Sequence, residues 1–297
     1  GITLYKMGEP GVPTLSEYLR TNLKQNQTLG FDGKVFTERY IEGIQKECAS
    51  QNINFSYEDD LAFGIWNDRP KRSHKKVLIL PLKYNGQTFQ DKLSQIRNKM
   101  KEFSAHSYLL SKLDDIMWLY NIRGNDVECN PVALSYAFIT DDENYLILQK
   151  EAVTDEIVDY AKINHIKIRD YIVIFEFLNN FSYQGDTLLD ESETSYCAFW
   201  TIKNKNSIIR EKNPTVLLKA IKNSTEIENM KQYFLLDSVA VCKFIFWIKN
   251  NKHKNEIEAS KYLDALRSKI EGFQGLSFKT ICAYAKNAAM MHYEANK

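Results

Sequence analysis

The sequence lacks a long apolar run. The nearest candidate, Val239–Ile248, is interrupted by Lys243, and a helical membrane span needs about 20 predominantly apolar residues. A membrane span is therefore not expected. The first residues, Gly1-Ile2-Thr3-Leu4-Tyr5, have no basic segment followed by an apolar core, which excludes a signal peptide. They also lack a Met and run directly into strand-like sequence, so a piece of a longer polypeptide is expected. Charge of one sign is missing too: 39 Lys and Arg against 38 Asp and Glu leave a net charge of +1. Nucleic acid and anionic membrane select for a basic excess, and neither is expected as a partner. Cysteine is sparse, at 48, 129, 197, 242 and 282, with no C-x-x-C. That excludes a disulfide framework or zinc knuckle and predicts buried, reduced thiols in a cytoplasmic protein. The five histidines, His74, His106, His165, His253 and His292, include no pair at i, i+3 or i+4, and none stands beside a carboxylate at metal-ligand spacing. No metal is expected to be held by this chain alone. There is no glycine-rich phosphate loop, G-x-S-x-G elbow or H-E-x-x-H. Cys282 and His292 are too little to make a thiol peptidase. Internal repeats and low-complexity segments are absent.

What is present is an ordinary globular composition, 44% apolar and 26% charged over 297 residues, enough for two domains or three small ones. Residues 28–57 read as a β-α-β unit. Thr28–Phe31 is a strand, Thr37–Cys48 a helix with Tyr40, Ile41 and Ile44 on one face, and Ile53–Phe55 the second strand. Leu61–Trp66 reads as a short helix, with Trp66 packing between domains. It ends at Asn67-Asp68-Arg69-Pro70, where the proline restricts Arg69 and marks a boundary. The basic run Lys71–Lys76 reads as a solvated linker.

A second α/β unit follows. Val77–Leu80 has the look of a buried strand. Phe89–Phe103 is a helix with Leu93, Ile96 and Met100 inward. Ser107–Ser111 reads as a strand and Leu113–Tyr120 as a helix, with Trp118 in the core. Leu134–Thr140 and Tyr145–Gln149 form a hairpin around Asp141–Asn144. Thr154–Asn164 is a helix, and Tyr171–Phe177 and Ser195–Ile202 read as strands. The alternation predicts a parallel or mixed sheet with helices on its faces. The pattern changes at Asn213-Pro214. A long helix runs from about Glu226 to Lys249, with Thr225 and Glu228 as a capping box and Ile227, Met230, Phe234, Val241, Ile245 and Ile248 as its apolar stripe. After the polar turn 250–255, a second helix runs to about Lys269 with Ile257, Leu263 and Leu266 inward. Leu276–Ala283 reads as a strand.

Four blocks, in order, carry a resemblance. The first is Leu4–Gly8 with Pro13-Thr14, Gly30-Phe31-Asp32 and Ile65–Pro70. The second is Leu113-Asp114-Asp115-Ile116-Met117-Trp118-Leu119-Tyr120-Asn121-Ile122-Arg123-Gly124-Asn125-Asp126 through Asn130-Pro131-Val132. The third is Lys219–Ser224 with Glu226 and Met230. The last is Leu276–Ile281 with Asn287–Tyr293. Together they resemble the Xaa-Pro aminopeptidases of the three-domain cytosolic type. The second block, which matches an "LDEIAWLFNLRGSDV..NPV" signature, is the most specific.

The resemblance implies an α/β fold: creatinase/aminopeptidase P-type N-terminal α/β domains followed by the start of a pita-bread α/β catalytic domain. It divides the chain into 1–70, the second half of an N-terminal domain; 71–212, a middle domain; and 213–297, the beginning of the catalytic domain. It implies a metallopeptidase that releases the N-terminal residue from short peptides with proline second, uses two manganese ions, acts in the cytoplasm and forms a homodimer. In the family the metal-holding aspartates, histidine and glutamates follow the His-Tyr block, so this chain by itself is expected to bind no metal and to be inactive. Taken alone, His292 is an ordinary histidine. The resemblance makes it a substrate contact or proton donor beside the metal-bound water, a task that suits imidazole. Arg123 and Asp126 have two readings. They brace a turn in which Gly124 takes a positive φ, or their loop faces the catalytic cleft and limits substrate length. The family's glycine-containing turn before the Asn of the last block is replaced here by Ala285-Lys286, and its later proline by Glu294-Ala295-Asn296. An alternative to the enzyme is a non-catalytic pita-bread protein that binds peptides or histones. Prolidase and creatinase relatives usually carry one N-terminal domain.

Overall fold

The structure, a computed structural model, describes residues 3–57, 60–251 and 254–296. Helix α1 (Leu15–Asn22) starts at Thr14, which forms a capping box with Glu17 and so satisfies two otherwise orphan donors. Strand β1 (Thr28–Gly30) leads to α2 (Glu38–Glu47), which crosses back to β2 (Asn54–Ser56), parallel to β1. Ile41 and Ile44 of α2 are buried, with Phe31 and Cys48, against Tyr196 far along the chain. Tyr40, expected on the same face, is exposed instead and stacks on Phe36 at 5.7 Å. Leu61–Trp66 is a series of turns, not a helix. Phe63 and Ile65 are exposed, and so short a segment without an apolar face to bury does not sustain a helix. Trp66 is 46% exposed and carries the Arg69 guanidinium 5.4 Å over its ring.

Strand β3 (Leu78–Ile79) is followed by α3 (Leu82–Asn85), α4 (Phe89–Glu102), β4 (Ser107–Leu110), α5 (Leu113–Leu119), β5 (Ile122–Arg123), β6 (Ser135–Thr140), β7 (Asn144–Leu148), α6 (Asp155–Ile163), β8 (Lys167–Asp170), α7 (Ile174–Asn180), β9 (Thr187–Leu189), α8 (Tyr196–Lys203) and β10 (Ile208–Arg210). Six of these strands form a mixed sheet in the order β10-β9-β4-β6-β7-β8. The pairs β10/β9, β9/β4 and β7/β8 are parallel, and β4/β6 and β6/β7 antiparallel. The strand period of two sorts the side chains. Tyr108, Leu110, Ala137, Ile139, Leu146 and Leu148 face α4, α5 and α6, whereas Leu109, Phe138, Tyr145 and Ile147 face α7 and α8. With both faces covered, the central strands read as unbroken apolar sequence. On α4, Leu93, Ile96 and Met100 are buried as their spacing predicts, and Trp118 is buried on α5.

Within this unit three elements differ from the sequence reading. Tyr171–Phe177 is a 3-10 turn followed by α7, because the Asp170 side chain accepts from Ile172 N and because Ile174 and Leu178, one helical turn apart, are buried. Ser195–Ile202 is α8: Ser195 caps it by accepting from Ala198 N, and Ala198, Phe199 and Ile202 face the sheet. Val77–Leu80 pairs only at Leu78–Ile79, antiparallel to β5, and Leu78 is 45% exposed.

Beyond β10, α9 (Thr215–Ala220), α10 (Ser224–Asn250) and α11 (Glu256–Arg267) form the carboxy-terminal unit. The box that starts α10 is Asn223 with Glu226, not Thr225 with Glu228. Asn223 also donates to Asn85 O (2.7 Å), and Asn229 to Lys83 O (2.9 Å), which fastens α10 to α3. The expected stripe on α10 is not a core: Phe234 is 65% exposed, and Ala240 is the helix's one buried residue among those described. The α10–α11 contact rests on Trp247 stacked on Tyr262 (4.0 Å) and on Arg267 forked onto Asp237. Ile257, Leu263 and Leu266 are only half-buried, and Leu276–Ala283 is irregular rather than a strand. Among the cysteines only Cys48 is buried; Cys242 is exposed, and none of the five is in a disulfide. His253, in the expected 250–255 turn, lies outside the described residues.

Candidate active-site cleft

Between the sheet unit and the carboxy-terminal unit lies a cleft of about 1410 Å³. One wall is the turn Leu78–Pro81 with Tyr84, a second is the loop 123–131, and the third is Tyr233 of α10 with residues 274–279. The signature block builds the second wall. Helix α5 stops where Asn121 takes φ +52, a left-handed conformation that Asn tolerates better than most residues. Asn121 O accepts from Leu80 N (2.7 Å) and its side chain donates to Gln87 O (2.8 Å). The chain then enters β5 and presents Arg123.

Arg123 is half-buried and lines the cleft. Its guanidinium donates to Met117 O (3.1 Å) and Ile122 O (2.8 Å), so the head is fixed to the end of α5. Burial lowers its pKa, opposed by the Glu226 carboxylate, and a guanidinium keeps its charge regardless. Behind it sits Lys92, fully buried on α4, whose Nζ donates to Trp118 O (2.9 Å) and Asn121 Oδ1 (2.6 Å) and lies 4.6 Å over the Trp118 ring. Burial pulls its pKa down to about 8, with Glu226 opposing and Arg123 adding to the shift. Sequence reasoning passed over Lys92. The available signal was its place on the apolar face of α4, between Phe89 and Ile96.

Gly124 does not take a positive φ. A Cβ there would come within 2.6 Å of Ala133, so the residue is required by the close return of the loop on itself. Asp126 is a brace. Its Oδ1 accepts from Ser73 Oγ (2.7 Å) and Lys75 N (3.0 Å), and its Oδ2 from Leu134 N (2.9 Å). The Lys71–Lys76 run is thus exposed but tethered.

His292 is exposed, in a turn at φ +53. Among the described residues it is not part of the cleft lining, but Glu294, two residues on, pairs with the cleft-lining Lys279 at 3.2 Å. The segment around it is organised by Glu256, another residue not singled out from the sequence. The Glu256 carboxylate accepts from Tyr284 N (2.5 Å), Asn287 Nδ2 (3.1 Å) and Tyr293 OH (2.5 Å), and those bonds hold its pKa below the usual carboxylate range. Ala285, where the resemblance placed a glycine-containing turn, has φ +52. Among the described residues no group of three or more His, Cys, Asp or Glu side chains is placed to hold a metal ion.

A six-stranded mixed sheet wrapped on both faces by helices, joined through a cleft to a helical unit, defines a three-layered scaffold of the creatinase type. The model of the creatinase/prolidase N-terminal domain matches residues 68–226, and that of metallopeptidase family M24 matches residues 228–297. The chain belongs to the creatinase/prolidase N-terminal domain family, with an M24 segment following it. It is similar to a probable Xaa-Pro aminopeptidase P of Pyricularia oryzae, 32% identical over 98% of this chain and 50% of that protein. A protein of the same description from Laccaria bicolor is 32% identical over 98% of this chain and 47% of that protein. Among solved structures it is similar to the X-prolyl aminopeptidase of Caenorhabditis elegans, described as a cytosolic enzyme with a di-nuclear active site. The TM-score is 0.89 at 27% identity, covering 98% of this chain and 49% of that one. The chain spans about half the length of the relatives it matches.

Proposed function

We propose that this chain is the part of a metal-dependent Xaa-Pro aminopeptidase that shapes the approach to its active site. The enzyme releases the N-terminal residue from short peptides with proline second. The observation that carries this reading is Arg123, a cation locked into the wall of a cleft large enough for a short peptide. In this reading Arg123 faces the substrate, and Asp126 sets the shape of its loop. His292 supplies a substrate contact or a proton to the developing oxyanion. Two manganese ions, held by residues other than the described ones, would supply Lewis-acid chemistry to the complete enzyme. The complete enzyme is a cytoplasmic homodimer.

The test is made on the complete enzyme. His292→Ala should lower kcat by roughly 10²–10³-fold with little change in metal content, because a donor to the oxyanion acts mainly in the transition state. Metal content by mass spectrometry and kcat are read on one sample. A near-normal kcat, or loss of metal in proportion to activity, would overturn the role. The 297-residue chain alone, incubated with manganese and an Arg-Pro-Pro peptide, should give no turnover. Turnover that survives repurification and is abolished by a substitution within the chain would overturn that expectation.

A further inference from the structure

The Leu113-Asp114-Asp115 start of the signature block takes no part in the cleft. Asp115 is nonetheless fully buried, and a buried carboxylate is costly unless it is closely paired. Its partners all come from the connector that leaves the sheet unit. Asn213 Nδ2 donates to Asp115 Oδ2 (2.7 Å) and to Glu193 Oε2 (2.8 Å). Asn213 Oδ1 accepts from Tyr108 OH (2.6 Å) and Thr215 N (2.9 Å), and Asn213 N donates to Asp190 Oδ2 (3.0 Å). Every polar group of the Asn213 side chain is therefore committed, as is its backbone N–H. In the last turn of α9, Lys219 sets its ammonium against both Asp114 and Asp115. Burial would lower the Lys219 pKa, and the two carboxylates raise it beyond that. Lys112 pairs with Glu193 at 3.3 Å on the outer side.

Connectors between units are ordinarily exposed and adaptable. This one is buried at Asn213 and Thr215, and both side chains are hydrogen-bonded. Such a network contributes uniqueness of arrangement more than net stability. We propose that Asp115, Asn213 and Lys219 form a locked joint that fixes α9 and α10 against the sheet unit. The cleft wall carrying Tyr233 then stands at a set distance from Arg123. Asp115 and Lys219 are positioning residues; their bearing on substrate rests on the cleft reading above, whereas the joint itself does not.

Hydrogen exchange on the 297-residue chain tests the joint without substrate. The joint and the peptidase reading can thus fail separately. Lys219→Met is the principal variant, since the Lys219 side chain is 25% exposed and its replacement opens no core. Amides of residues 215–232 should exchange at least about tenfold faster, with β4, β6 and β7 unchanged. Lys219→Arg, which keeps the charge, should retain the native protection. Asp115→Asn should act on the same amides, and adding Lys219→Met to it should cost no more than Asp115→Asn alone. Exchange within twofold of native in Lys219→Met would overturn the joint. So would an equal loss of protection across β4–β7, which would mark general destabilisation.

Discussion

Gly86 is held at φ +66, and a Cβ there would lie 2.6 Å from both Asn223 Oδ1 and Thr225 Cβ. The position needs a left-handed backbone and an empty space at once, because the first turn of α10 is packed on it. Gly86→Ala should therefore lower the stability of the chain by about 1–3 kcal/mol in urea denaturation. Stability equal to native would show that α10 does not rest on this turn. Glu38 offers a second residue-scale test. It is buried on α2, accepts from Trp200 Nε1 (3.1 Å) and stands 3.8 Å from Arg210. Burial raises its pKa to about 6, only partly offset by Arg210 and the Trp200 bond, and Glu42 and Glu191 add to the rise. The folded state thus binds this proton more tightly than the unfolded one. The contribution is fully present below the ordinary carboxylate pKa and is lost as pH rises through about 6. Between pH 4.5 and 7 the native chain should lose on the order of 2 kcal/mol relative to Glu38→Gln, whose amide keeps the acceptor for Trp200. Parallel curves for the two proteins would overturn this assignment.

At the scale of elements, Asn223 both caps α10 and donates to α3. Asn223→Ala should cost about 1–3 kcal/mol, more than an isolated cap, and circular dichroism should show the loss as fraying of α10. Asp126 pins the basic linker to the cleft loop, so Asp126→Ala should speed tryptic cleavage after Lys75 and Lys76 by about tenfold or more. An unchanged rate would mean that Ser73 and Lys75 are held by other contacts. These elements also show what was legible beforehand. Helix α4 and the β6–β7 hairpin could be read because their period and turn chemistry are local. The runs 171–177 and 195–202 could not, since a short apolar segment fits a buried strand or a buried helix equally. Their deciding residues were single caps, Asp170 and Ser195. β9 is three buried residues with no alternation to detect. At the candidate site, the stretch carrying Arg123 and Asp126 was legible as a motif. Lys92 and Glu256 were not, because their partners, Trp118 and Tyr293, lie 26 and 37 residues away.

For the molecule as a whole, we propose the units 1–70, 71–212 and 213–297, and limited proteolysis tests their limits. Trypsin should cut first after Lys71 or Arg72, which are exposed, whereas a first cut within Val77–Leu80 would place the boundary elsewhere. The first two units are not independent beads. Glu38 N donates to Thr194 O, Tyr196 N to Phe36 O and Cys197 N to Gly33 O, and Tyr196 closes the cluster of Phe31, Ile41 and Ile44. The side chains of Glu38 and Trp200 that meet there are 162 residues apart. On the ribosome this means that the apolar face of α2 emerges long before the surface that covers it. At about 5–20 residues per second the interval is on the order of 10–30 s. Throughout it, the part of that face which Tyr196 and Trp200 later cover is open to chaperones and to neighbouring nascent chains.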